Sequence, residues 1–266
     1  MTSPQRRLAG SVLVLVATAL CLALASGAWS QGATTVRPVP ATCPPADTGA
    51  YNVIAGTADE DGLVGTNDAD QISGLASKDD IDGIGGNDCL LGGDGADLIM
   101  GGQGNDFIYG QQGQDDIAGD GGADYISGGD NEDIIDGGTG QDVLAGDAGV
   151  DTISGGNSAD DISGGDGSDF IDGGLDGDKI NGDAGNDTIE GGEGDDIIHG
   201  NAGNDHIYGG ADNDVIYGDA GNDVIDVADG VKDSVHCGAG TDTVRADAFD
   251  VLRNCEHIQR LRSSKQ

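Results

Sequence analysis

The feature that most constrains this chain is a nine-residue repeat that runs without interruption from Gly56 to Asp226. In all nineteen units the first position is Gly, the sixth is Asp and the eighth is Ile or Leu. Low-complexity disorder gives a biased composition without a fixed phase, so three columns held over nineteen units argue against it. Unbroken self-similarity at a short period is typical of a solenoid, in which each unit packs on its neighbours.

Each unit combines a turn over its first six positions with a short strand over its last three. Alternate side chains of a strand point to opposite faces, so the eighth position points inwards while the seventh and ninth point outwards. The eighth column runs from Leu63 to Ile225 and is purely aliphatic, whereas its neighbours are mixed and partly polar. The turn needs Gly because it uses backbone angles that are costly for other residues. We predict an all-β fold, a right-handed parallel β-roll with two units, or eighteen residues, in each coil.

The sixth column places one carboxylate in every turn. Turns eighteen residues apart stack on one side of such a roll, so Asp88 and Asp106 belong to one ladder and Asp97 and Asp115 to the other. Ca²⁺ takes six to eight oxygen ligands, typically carboxylates and carbonyls, and two stacked turns together can supply them. The gaps between stacked turns allow at most about 17 calcium sites.

The predicted side-chain ligands are the sixth-position aspartates: Asp61, Asp70, Asp79, Asp88, Asp97, Asp106, Asp115, Asp124, Asp133, Asp142, Asp151, Asp160, Asp169, Asp178, Asp187, Asp196, Asp205, Asp214 and Asp223. Turn carbonyls complete the predicted shell, such as those of Gly92, Gly101, Gly110, Gly119, Gly128, Gly137, Gly182, Gly191 and Gly200.

The charge of the chain supports cation binding. Asp and Glu number 49 against 11 Lys and Arg, which gives a formal net charge of -38. Nothing here could neutralise phosphates, so nucleic acid is excluded as a partner, and so is direct contact with an anionic membrane surface. One aliphatic side chain per unit cannot offset the entropy of ordering nine residues, and stacked carboxylates repel each other. We therefore predict that calcium binding and folding are one event.

The N-terminus predicts export. Residues 1–28 have the layout of a secretory signal peptide: Arg6 and Arg7, an apolar run from Val12 to Ala25, and small residues that allow cleavage after Ala25 or Ala28. The run is short for a membrane span, so we expect none in the mature chain, and the general secretory and twin-arginine routes both stay open. Residues 29–55 are predicted to be a lead-in and N-terminal cap, 56–226 the β-roll, and 227–266 degenerate turns and a C-terminal cap.

Four cysteines remain once the signal peptide is removed, an even number in an exported chain. Two lie near each end of the repeats. Among the three possible pairings we therefore favour Cys43–Cys89 and Cys237–Cys255, each holding one end of the stack.

The units resemble the RTX (repeats-in-toxin), or haemolysin-type, calcium-binding repeats. The stretches that begin at Gly92, Gly101 and Gly191 match the family nonamer G-G-x-G-x-D-x-U-x in full, where U is a large aliphatic residue. The resemblance implies a secreted bacterial protein with a calcium-loaded parallel β-roll, position-six Asp ligands and turn carbonyls. It carries less weight where the fourth-position Gly is replaced, by Asp59, Asp68, Ser77, Asn131, Ser158, Asp176 or Asp212.

No catalytic constellation accompanies the repeats. The sequence contains neither H-E-x-x-H nor G-x-S-x-G, and we expect the histidines and the outward aromatics, such as Phe107, Tyr125 and Tyr217, to be scattered over the surface. We predict a non-enzymatic, secreted, extracellular calcium-binding protein with a structural or interaction role. The alternatives are a polysaccharide-modifying enzyme or an adhesin built on the roll. Ice binding is disfavoured because the third position holds one Thr, Thr139, and no Thr ladder. No macromolecular partner is indicated.

Overall fold

The computed structural model describes residues 42–44 and 51–261. These residues form 24 β-strands and no helix, arranged in two parallel sheets of 12 strands each. The predicted signal peptide at 1–28 and most of the lead-in at 29–55 lie outside the described residues, so those boundaries stay predictions. The described part of the chain contains no helix that could cross a lipid bilayer.

The odd-numbered sheet consists of β1 (Asn52–Ala55), β3 (Asp70–Ala76), β5 (Cys89–Asp94), β7 (Phe107–Gln112), β9 (Tyr125–Asp130), β11 (Val143–Ala148), β13 (Asp161–Asp166), β15 (Lys179–Ala184), β17 (Ile197–His199), β19 (Val215–Tyr217), β21 (Ser234–His236) and β23 (Val251–Arg253). The even-numbered sheet consists of β2 (Gly62–Val64), β4 (Asp80–Asp82), β6 (Leu98–Gln103), β8 (Asp116–Gly121), β10 (Ile134–Thr139), β12 (Thr152–Asn157), β14 (Phe170–Leu175), β16 (Thr188–Glu193), β18 (His206–Ala211), β20 (Val224–Val227), β22 (Thr243–Ala246) and β24 (His257–Arg260).

Each strand pairs with the strands two before and two after it in the chain. Ile108 of β7 lies beside Ile126 of β9, and Ile99 of β6 lies beside Ile117 of β8, so partners are eighteen residues apart. Two nonapeptides therefore make one coil. The prediction of an all-β parallel solenoid with eighteen-residue coils is confirmed, and the stack has about 12 coils.

The strands are longer than the three residues that the sequence predicted. Most have six, from the seventh position of one unit to the third position of the next, as in β6. The predicted six-residue turn was therefore too long, because positions one to three of most units belong to a strand. Gly102 has φ of +96°, yet it still pairs with Asp120 of the next coil, so the backbone bends there without leaving the sheet.

The core is one continuous column of eighth-position side chains. Every Ile and Leu of this column from Ile72 to Ile225 is at most 1% exposed, and the column continues through Val235 and Val244. A register slip of one residue follows Ile225, because Ile216 pairs with Val235, nineteen residues on. The predicted C-terminal cap is thus built from further coils of the same stack.

Two disulfides join the ends of the stack to their neighbours. Cys43 is bonded to Cys89 in β5, and Cys237 is bonded to Cys255, eighteen residues later. Both predicted pairings are confirmed. The first attaches the segment before β1 to the third strand of the odd-numbered sheet, and the second links two consecutive coils.

Candidate metal sites in the turns

The sixth-position aspartates form two hydrogen-bonded ladders, one on each side of the stack. The backbone N–H of each Asp donates to Oδ1 of the Asp in the next coil, at 2.8 Å from Asp88 to Asp106 and from Asp97 to Asp115. The first ladder starts at Asp61 and contains Asp97, and the second starts at Asp70 and contains Asp88. All of these aspartates from Asp70 onwards are at most 2% exposed.

The second carboxylate oxygen, Oδ2, has no hydrogen-bond donor among the described residues in sixteen of the nineteen repeat turns. Buried polar atoms in proteins almost always have a partner, and an unpartnered one costs about 1–3 kcal/mol. A row of such atoms therefore indicates a binding partner other than a hydrogen-bond donor of the protein. The sixteen residues are Asp79, Asp88, Asp97, Asp106, Asp115, Asp124, Asp133, Asp142, Asp151, Asp160, Asp169, Asp178, Asp187, Asp196, Asp205 and Asp223.

Each of these Oδ2 atoms lies beside the first-position glycine of its own unit and beside the first-position carbonyl oxygen of the next coil. A Cβ added to Gly119 would lie 2.6 Å from both Asp124 Oδ2 and Gly137 O. We call this point a turn site. Two oxygen atoms approach it while no side chain occupies it, which explains why only Gly stands in the first column.

All nine predicted carbonyl ligands lie at turn sites. They are the carbonyl oxygens of Gly92, Gly101, Gly110, Gly119, Gly128, Gly137, Gly182, Gly191 and Gly200. The structure thus brings together the predicted side-chain and main-chain oxygens, while their ligation of a metal stays a prediction.

The donor set of a turn site suits Ca²⁺. Carboxylate and carbonyl oxygens are the ligands that Ca²⁺ prefers, whereas Zn²⁺ favours His and Cys. Within residues 42–44 and 51–261, no group of three or more His, Cys, Asp or Glu side chains is placed to hold a metal. A cation at a turn site therefore draws on main-chain carbonyls as well as carboxylates, as the sequence predicted for these turns.

Burial raises the pKa of the ladder carboxyls. The pKa of Asp124 rises to about 8, mainly because burial penalises the charged form and also because Asp106 and Asp142 repel it. The pKa of Asp160 likewise rises to about 8, and that of Asp178 to about 7. The backbone N–H that each carboxylate accepts opposes the shift without cancelling it. Without a cation these groups would hold protons near neutral pH.

We expect the calcium-free chain to be better folded at pH 5 than at pH 8. A carboxyl with a pKa near 4 when unfolded and about 8 when folded favours folding fully below pH 4, and this contribution is lost as the pH rises to 8. Far-ultraviolet circular dichroism of the calcium-stripped chain, at constant ionic strength, measures it. Equal β-sheet signals at the two pH values, or a larger one at pH 8, would contradict the expectation.

Three of the nineteen predicted aspartates differ from the others. Oδ2 of Asp61 accepts hydrogen bonds from Thr57, and Oδ2 of Asp70 accepts them from Thr66. The turn site of Asp214, beside Gly209, has the side chain of Val227 among its nearest atoms, where the other turn sites have a carbonyl oxygen.

The sequence prediction left the ladder residues beyond Asp223 out of the ligand set. Asp214 N–H donates to Asp233 Oδ1 at 2.9 Å, and Asp223 N–H donates to Asp242 Oδ1 at 3.0 Å. Both acceptors are at most 1% exposed. The sequence does contain the pattern of these turns, because Asp233 is followed by Val235 and Asp242 by Val244. A strict nine-residue count misses it because the register slips by one residue before these turns.

The replaced fourth positions mostly preserve the turn. Ser77, Asn131 and Ser158 adopt φ of 74°, 86° and 80°, and Asp176 and Asp212 also have positive φ. Asn and Asp reach this region more readily than most residues. Replacement of Gly at these five positions therefore leaves the backbone in the positive-φ region.

The histidines do not form a metal site in the described part of the chain. His199 lies in β17 and His206 in β18, which belong to different sheets. His199 stacks on Tyr217 with ring centroids 4.3 Å apart, and Phe107 stacks on Tyr125 at 4.9 Å. The expectation of scattered residues was therefore wrong for these two pairs, because the eighteen-residue register places the two members of each pair on neighbouring strands.

Comparison with known families supports the same repeat. The family described as RTX calcium-binding nonapeptide repeat (4 copies) matches the chain at residues 91–126, 109–144, 127–162, 145–180, 154–189, 172–207 and 190–225. These overlapping matches span 91–225, just over half of the chain. No curated protein matches the chain.

Proposed function

Because the chain belongs to the family of RTX calcium-binding nonapeptide-repeat proteins, we propose that it is a secreted structural protein whose β-roll folds when multiple Ca²⁺ ions bind outside the cell. One observation carries this proposal. Sixteen buried carboxylate oxygens lack a hydrogen-bond donor in the described structure, and each faces a carbonyl oxygen of the next coil. A divalent cation is the ligand that such a set of oxygens suits best.

In this proposal each ladder aspartate has two tasks, divided between its two oxygens. Oδ1 accepts the N–H of the previous coil and fixes the carboxylate, as Asp124 Oδ1 does for Asp106. Oδ2 stays available as a calcium ligand, and the first-position carbonyl of the next coil adds a second oxygen. Calcium supplies positive charge that cancels repulsion between stacked carboxylates and holds adjacent coils together.

Three features support a site of action outside the cell. The sequence predicts a signal peptide at residues 1–28. The two disulfides are typical of proteins in oxidising compartments. Calcium modules of extracellular proteins work at roughly 10⁻⁴–10⁻³ M, so weak sites would stay empty in the cytosol and fill after export.

We propose no catalytic role. The ladder carboxylates are the most numerous acidic groups in the interior, and their Oδ1 atoms are fixed by backbone hydrogen bonds. In the proposed function they serve as metal ligands and not as acid or base catalysts.

The direct test is equilibrium dialysis of the exported chain against radioactive calcium, with its N-terminus determined by mass spectrometry. We expect binding of more than about ten ions per chain at millimolar calcium and a mature chain that starts after residue 25 or 28. Stoichiometric binding of fewer than two ions would refute the proposed calcium role. An intact N-terminus in the cell pellet would refute the proposed export.

A further inference from the structure

We infer that the calcium array is closed at both ends by protein groups, so that sixteen turn sites bind an ion and Asp61, Asp70 and Asp214 do not. This inference rests on the proposed function, because it states which residues of the array act as ligands. It removes two of the about 17 gaps that the repeat count allows, those of Asp61 and Asp70, and adds one at Asp223, whose neighbouring carbonyl belongs to Cys237.

At the N-terminal end, threonine takes the place that a cation would have. Thr57 N–H donates to Asp61 Oδ2 at 2.6 Å, and the Thr57 hydroxyl reaches the same oxygen at 2.9 Å. The first turn of the second ladder repeats this arrangement, with Thr66 N–H at 2.7 Å and its hydroxyl at 2.9 Å from Asp70 Oδ2. Two donors satisfy each of these oxygens without metal.

The backbone of these two turns differs from that of the turns that follow. The second position has positive φ in the next two turns, at Leu75 (83°) and Ile84 (72°), whereas neither Thr57 nor Thr66 does. The fourth position shows the same change: Ser77 has φ of 74°, and Asp68 N–H instead donates to the Thr66 hydroxyl at 3.1 Å. Hydrogen bonds and dihedral angles thus separate the first two turns from the rest.

At the C-terminal end, the glycine column stops after Gly218, and a side chain lies near the turn site of Asp214. A Cβ added to Gly209 would lie 2.5 Å from Asp214 Oδ2 and 3.3 Å from a methyl carbon of Val227, and no carbonyl oxygen is among its three nearest atoms. Val227 pairs with Ala246 in the next coil, and both are buried. On the other side Cys237 follows Gly218 in the column and is disulfide-bonded to Cys255. The Cys237 carbonyl oxygen lies at the turn site of Asp223. In the following turn Asp242 Oδ2 is buried without a donor among the described residues, but Cys237 stands where a turn site has Gly, so a Cβ occupies that point.

The arrangement at the N-terminal end has a physical reason. A turn at the end of the stack has a neighbouring coil on one side only, so it offers a cation fewer oxygens than an interior turn, and Ca²⁺ needs six to eight. The Oδ2 atoms of Asp61 and Asp70 are instead satisfied by hydrogen bonds from their own turns, while Asp70 Oδ1 has no donor among the described residues.

The test counts calcium ions per chain by native mass spectrometry of the full mature protein at saturating calcium, in matched pairs of variants. Asp61→Asn and Asp79→Asn are neighbours in the first ladder, and Asp214→Asn and Asp196→Asn are neighbours in the second. We expect sixteen ions for the unmodified chain, sixteen for Asp61→Asn and Asp214→Asn, and at least one fewer for Asp79→Asn and Asp196→Asn. Circular dichroism of each variant at the same calcium concentration establishes that it is folded.

The possible outcomes separate the two claims. If the unmodified chain binds no calcium, the proposed function fails. If it binds calcium but holds seventeen or more ions, or if Asp61→Asn loses an ion as Asp79→Asn does, only the closure of the array is overturned. Asp61 is partly exposed at the end of the stack, so its substitution does not threaten the fold.

Discussion

Removal of calcium is expected to abolish the β-sheet spectrum of this chain, and its return to restore it. Sixteen buried carboxylate oxygens then lack any partner among the described residues, and each costs about 1–3 kcal/mol. Their sum exceeds the roughly 5–15 kcal/mol by which most domains are stable. The chain has one aliphatic core residue per nine residues to oppose that cost. Far-ultraviolet circular dichroism during a calcium titration at pH 8 measures the transition.

Magnesium is the matched control for this titration. It has the same charge as calcium but demands near-ideal octahedral geometry and gives up its waters reluctantly, so we expect no comparable transition at equal concentration. A β-sheet spectrum that is already complete in chelator at pH 8 would contradict coupling between calcium binding and folding. An equal response to magnesium would show that charge alone, and not the geometry of the turn sites, drives folding.

The substitution Gly119→Ala is expected to destabilise the calcium-loaded chain strongly. The new Cβ would lie 2.6 Å from Asp124 Oδ2, 2.6 Å from Gly137 O and 3.2 Å from the side chain of Ile126. The carbonyl belongs to the backbone of the next coil, so the clash cannot be relieved by a rotamer change. Overpacking of this kind costs about 1–3 kcal/mol, and the added methyl group also occupies a turn site. Denaturant unfolding at saturating calcium gives the loss, and native mass spectrometry gives the ion that goes with it.

Gly62→Ala is the matched control for that substitution. Gly62 is an exposed residue of β2, and a Cβ there would have no atom within 4 Å. We expect its free energy of unfolding to stay within about 0.5 kcal/mol of the unmodified value. If Gly119→Ala unfolds at the same denaturant concentration as Gly62→Ala, the turn site is not the reason for the invariant first glycine.

The coil could be predicted from the sequence because its period is short and unbroken. One buried aliphatic residue and one turn carboxylate per unit, such as Ile126 and Asp124, determine which residues face inwards and which stack. The cysteine pairings followed from position, since two cysteines lie near each end of the repeats. The hydrogen bond from each Asp to the next needed the structure, because a nine-residue pattern does not say which carboxylate oxygen is satisfied.

The ends of the array could not be predicted from the column pattern. Asp61 and Asp79 occupy identical positions in the repeat, but Thr57 donates to Asp61 Oδ2, and the corresponding residue in the unit of Asp79 is Leu75. The two turns also differ in the sign of φ at the second and fourth positions, which is positive at Leu75 and Ser77 only, and the repeat pattern does not encode this difference. The sequence also predicts strands that are too short, because the Gly-rich positions one to three of most units stay in the sheet.

The eighteen-residue pairing of the strands also limits how the gene of this protein can change in length. Loss or gain of a single nonapeptide would transfer every later unit to the opposite sheet, and residues such as Phe107 and Tyr125 would be separated if it fell between them. Loss or gain of two nonapeptides shortens or lengthens the rod by one coil, about 4.8 Å, and leaves both faces in register. Natural length variants are therefore expected to differ by whole coils, and two features of one face are expected to lie an even number of units apart.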